Sequence, residues 1–130
     1  MVWVRQPATS SRPERLYFGV DESDHLSHGF ECSPGSGRVR MIVWSEFETD
    51  RPVAALASGA VRKDYSLVVA RGEDTSFATV ETAVADPVLQ AFARSGALGL
   101  ALGEEPEEAP APPEEISQIR EFWRACGAAR

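Results

Sequence analysis

A chain of 130 residues has room for one domain with a substantial core. Its 13 basic and 20 acidic residues leave a net charge of −7, which argues against nucleic acid, where Lys and Arg must neutralise phosphates, and against an anionic membrane surface. The composition, 43% apolar and 25% charged, is that of an ordinary globular protein, and no apolar run approaches the ~18 residues of a membrane-spanning helix.

Along the chain, short β-like segments alternate with turn residues. Residues 2–4 form a first candidate strand, and the loop 7–13 (PATSSRP) follows. Residues 16–20 (LYFGV) alternate, with Leu16, Phe18 and Val20 on one face. A polar turn at 21–24 leads to strands over 28–32 and 39–47. These flank Ser33-Pro34-Gly35-Ser36-Gly37, whose Pro and Gly residues suit a hairpin. Further strands are predicted over 53–58, 65–71 and 76–84, with 59–64 as a link. Asp86 stands at an N-cap position before Pro87, and Gly96 is a natural stop, so a short helix is predicted near 87–95. Residues 97–102 (ALGLAL) read as one more strand. The acid-rich, proline-rich run 104–113 reads as an extended, solvated linker. It opens a final stretch, residues 104–130, that carries seven acidic and three basic residues. The last helix is predicted over 114–126. Its apolar face carries Ile116, Ile119, Trp123 and Cys126, with Phe122 beside them.

These elements predict a single α+β domain over 1–130. Its body, 1–103, is a mostly antiparallel β-sandwich or barrel-like sheet, with the short helix and the C-terminal helix packed on it. Trp44 shares its strand face with Ile42 and Arg40, opposite Val39, Met41 and Val43. That strand is either central in a two-layer structure or covered by the last helix, with an exposed patch as the third reading.

No motif assigns a reaction. The Ser33–Gly37 loop has no Lys and leads into no helix, so it lacks both parts of a phosphate-binding loop. Ser36 is not in a Gly-x-Ser-x-Gly elbow. Asp24, His25 and His28 are weak metal-ligand candidates, because His-x-x-His on a strand sends the two rings to opposite faces. His28 and Cys32 share a strand face but stand ~13 Å apart in regular geometry, beyond a nucleophile–base hydrogen bond. Hence no catalytic residue, no metal and no cofactor is expected. The 20 acidic residues still admit a hydrolase with dispersed carboxylates.

Cys32, in register with Phe30, and Cys126, on the apolar helix face, both point inward. They are either bridged or two buried free thiols. A bridge closing about 95 residues is worth roughly 4–5 kcal/mol in the chain-entropy account.

The stretch RLYFGVDESDHLSHGFECSPGSGRVRMIVW, residues 15–44, resembles small uncharacterised exported proteins of alphaproteobacteria. There a strand ending in Cys precedes a Pro-Gly-Ser-Gly turn, and a final helix of the form Ile-x-x-Phe-x-x-x-Cys closes the chain. Here that ending runs Ile119, Phe122, Cys126. The resemblance covers the first third and the last helix. It implies periplasmic export and a Cys32–Cys126 bridge, and it carries no activity. No basic segment followed by an apolar one is legible at the start of the chain, which leaves a cytoplasmic protein as the alternative.

The expected function is therefore a non-enzymatic binding or structural domain of the cell envelope, partnered by a protein or small ligand. A second expectation is a small periplasmic inhibitor of a lysozyme-like hydrolase, whose basic surface an acidic domain would attract.

Overall fold

The computed structural model describes residues 1–20, 26–72 and 75–127. In chain order its elements are β1 (Val2–Gln6), β2 (Glu14–Gly19), β3 (Leu26–Cys32), β4 (Arg38–Trp44), β5 (Val53–Ser58), β6 (Val61–Ser66), β7 (Val68–Arg71), β8 (Ser76–Ala83), α1 (Pro87–Ser95), β9 (Ala97–Leu102), β10 (Ala109–Pro110) and α2 (Pro113–Cys126). They build an α+β domain with a six-stranded sheet in the order β1-β2-β3-β4-β8-β7 and a four-stranded sheet in the order β10-β9-β5-β6. Every described strand pair is antiparallel.

The period-2 pattern decides which face of the large sheet is covered. Leu16, Phe30, Cys32, Val39, Met41 and Val43 point into one core. α1 packs against β5 and β6, and its Phe92 ring lies 5.0 Å from Trp3 and 6.0 Å from Phe30. α2 packs on β1 and β2, with the Trp123 ring 5.1 Å from Phe30. Both helices thus cover the inner face of the large sheet. Fully burying side chains of this size contributes about 1.5–3 kcal/mol each.

β4 is an interior strand, as its two apolar faces predict. Trp44 lies on the outer face, away from α2, half-buried and edge-on to Tyr17 at 5.4 Å.

The segment 59–71 departs from the sequence reading. Residues 59–64 are not a link, because Gly59, at φ 61°, allows a tight turn and β6 begins at Val61. The single strand predicted over 65–71 is two strands in different sheets. The break falls at Leu67, which is fully buried and whose N–H donates to the Pro52 carbonyl at 2.8 Å. The apolar pull on Leu67 and the Pro52 acceptor outweigh a continuous ladder.

The final helix is also rotated from the expected face. Ile119, Phe122, Trp123 and Cys126 are buried together with Glu115, while Ile116 is only half-buried. Residues 104–110 are mostly exposed, as a solvated linker should be. The run is nonetheless held, since Ala109 and Pro110 pair with Leu98 and Ala97 of β9.

Candidate functional site

A disulfide joins Cys32, the last residue of β3, to Cys126, the last of α2. The two Cα atoms are 5.7 Å apart across a sequence separation of 94. Both thiols are therefore spent, and neither is a nucleophile. The adjacent Ser33–Gly37 turn explains why the ends meet. Gly35 and Gly37 adopt φ 76° and 73°, and their N–H groups donate to the carbonyls of Ala125 at 2.8 Å and Cys126 at 2.9 Å. The turn thus satisfies carbonyls that the helix end leaves without partners. The Gly35, Ser36 and Gly37 amides are engaged within the fold rather than turned to a phosphate.

Of the weak metal candidates, Asp24 and His25 lie outside the described residues. His28 is buried between Trp3, 5.4 Å away and edge-on, and Phe18 at 5.3 Å. Burial pulls its pKa down to about 4, so the ring is neutral at pH 7. Its Nδ1 is 2.9 Å from the Ser27 hydroxyl. Among the described residues, no three His, Cys, Asp or Glu side chains gather as metal ligands.

Asp86 does occupy the N-cap position of α1, but its side chain makes no capping hydrogen bond. The carboxylate instead accepts from Thr82 Oγ1 at 2.5 Å, Tyr65 Oη at 2.8 Å and Lys63 Nζ at 3.1 Å. Burial would raise its pKa, yet these donors outweigh burial and hold it below the ordinary value. The shared carboxylate ties β6 and β8 to the start of α1.

The outer face of the large sheet carries a charge ladder. Glu31 accepts from Arg15 at 3.0 Å, Arg40 at 2.6 Å and Tyr17 Oη at 3.3 Å, and Arg38 pairs with Glu81 at 3.3 Å. Burial and then the Glu31 charge push Tyr17 up to about 12. These charges satisfy one another, so the shallow groove of about 360 Å³ beside them offers few free groups.

A larger acidic cleft, about 790 Å³, lies beside β5 and the end of β9. Glu46, Glu48, Asp64, Glu104 and Glu105 line it around Phe47, Val53 and Leu102. Arg62 partly neutralises it through Glu105 and, at 3.9 Å, Asp64. The acids come from three separate stretches of chain. Only the 104–105 pair stood out in the sequence, because nothing local signals that 46, 48 and 64 converge on it.

The described residues define a β-rich domain closed by a disulfide, with many of their charged side chains paired and an acidic concavity beside β5. Comparison with protein-family models, with curated proteins and with solved structures found no match.

Proposed function

We propose that this chain is an extracytoplasmic binding or structural domain of the cell envelope, without enzymatic activity. One observation carries the reading, the buried bridge between Cys32 and Cys126. Disulfides of this structural kind form and persist in oxidising compartments, and the periplasm is one. The resemblance of residues 15–44 and the last helix to exported alphaproteobacterial proteins points the same way. So does the use made of the reactive groups, with both thiols bridged and His28 walled in by aromatic rings.

The test is intact-mass spectrometry of protein made without reductant, alkylated before and after reduction. A mass two units (~2 Da) below the dithiol form, with no alkylation until reductant is added, is the expected result. Two thiols that alkylate in the folded protein would overturn the reading and favour a cytoplasmic protein.

The acidic cleft favours one specific version, a small inhibitor of a basic lysozyme-like hydrolase. Complementary charge steers such encounters, and their rate falls with salt. A lytic assay with and without the protein decides it. Inhibition that disappears in Glu46→Lys with Glu104→Lys supports it. No inhibition at micromolar protein removes it.

A further inference from the structure

Seven of the described cations form ion pairs with carboxylates. Of the five described arginines that form none, three stand around one groove. Arg94 comes from the end of α1, and Arg120 and Arg124 come from successive turns of α2. Val84, Ala93 and Trp123 supply the apolar part of the lining, and the groove holds about 750 Å³. Within a chain of net charge −7, three uncompensated positive charges at one place are an outlier.

The helix dipole accounts for part of this. Arg94 and Arg124 lie in the last turns of their helices, where a cation is stabilising. Arg120 donates to the Arg94 carbonyl at 2.7 Å, which caps α1. Neither effect requires the guanidinium groups of two helices to share a groove, where they repel one another. A second observation is independent of charge. The indole Nε1 of Trp123 is buried and has no hydrogen-bond acceptor among the described residues, and Trp123 is a lining residue of this groove.

We propose that the groove between α1 and α2 binds a small amphipathic anion, its carboxylate or phosphate group held by Arg94, Arg120 and Arg124 and its apolar body lying against Val84, Ala93 and Trp123. Guanidinium forks match both oxyanions in bidentate geometry, and an apolar wall with a few convergent polar groups is the usual form of a small-ligand site. The proposal rests on the reading of the chain as a binding domain, and it does not depend on the compartment.

The test is calorimetric titration of the oxidised full chain at low salt with phenyl phosphate, 3-phenylpropionate, the neutral 3-phenylpropanol and inorganic phosphate. At least one aryl anion binds, the alcohol and inorganic phosphate bind at least about tenfold more weakly, and the Trp123 indole N–H resonance shifts. The stronger of the two aryl anions identifies the headgroup. Replacing both Arg94→Gln and Arg124→Gln lowers affinity by about tenfold or more while the protein stays folded, its unfolding temperature falling only by the small loss of two helix-end charges. The pair Arg94→Lys and Arg124→Lys, which keeps charge but loses the planar fork, gives an intermediate affinity and serves should the glutamine pair not fold. Equal binding of the alcohol, affinity unchanged in both variant pairs, or capture of a hexaglutamate peptide with no binding of the aryl anions would each overturn the proposal. Thiol state is measured separately, so failure here leaves the compartment reading standing, and failure there leaves this one.

Discussion

His28 shows how one buried side chain sets a pH dependence. Its ordinary pKa is 6.5 and burial brings it to about 4 in the folded protein. Between those values the unfolded chain binds a proton that the folded one does not, so the stabilising effect is complete above pH 6.5 and fades as pH falls toward 4. The loss is about 3 kcal/mol over that interval. His28→Phe, which keeps the aromatic packing against Trp3 and Phe18, should flatten the profile there. Urea unfolding of both proteins at pH 7 and pH 4 measures it, and parallel losses in the two would remove His28 as the cause. Asp86 acts in a lower window. Its pKa is held below the ordinary value of 3.8, so its contribution is present above that value and is lost as pH falls further. The N-cap position of Asp86 was legible from the Pro87 that follows it. The three donors on its carboxylate were not, because Lys63 and Tyr65 belong to β6 and Thr82 to β8.

At the scale of elements, α2 is docked by more than its apolar stripe. The Glu115 carboxylate is buried and accepts from the backbone N–H of Trp3 at 2.7 Å, and Gln118 Oε1 accepts from that of Arg5 at 3.1 Å. Arg5 also reaches Glu121 at 3.0 Å and Glu14 at 2.7 Å. Residues one helical turn apart thus cover the free edge of β1, which would otherwise present unpaired backbone groups. Glu115→Ala should cost about 1–3 kcal/mol, because it strands the buried Trp3 N–H. Glu115→Gln, which keeps an acceptor, should cost clearly less, and denaturant unfolding of the two variants tests the ordering. Equal losses would mean that Glu115 acts by packing alone. The sequence placed this glutamate in the first turn, where acids favour the helix dipole. Its second role depends on β1, more than a hundred residues earlier. The break at Leu67 was hidden for a similar reason, since the residue that draws the chain out of register is Pro52, in a different loop.

For the molecule as a whole, the bridge closes nearly the entire fold. It links the end of β3 to the end of α2 across a sequence separation of 94. The loop-closure account assigns such a link roughly 4–5 kcal/mol. Replacing both cysteines by serine should therefore lower unfolding free energy by about 4 kcal/mol, and reductant should do the same to the parent chain. The two treatments are compared by urea unfolding, and a change below about 1 kcal/mol would show that the helix caps and core hold α2 unaided. This tether acts at α2, whose preceding connection is held to the body by the short β10 pairing, the Gly59 N–H bond to the Glu108 carboxylate and the Arg62–Glu105 ion pair.

By itself the sequence determined the α+β class, most strand and helix positions, the inward direction of both cysteines and the turn at 33–37. Those features follow from short-range rules, namely period-2 and period-3.6 patterning and the φ preferences of Gly and Pro. Tertiary structure alone decided the partition of strands between two sheets, the switch at Leu67, the burial of Glu115, the acidic cleft and the arginine groove. Each of these joins residues distant in sequence, and their association is set by which apolar surfaces and hydrogen-bond donors meet once the chain closes.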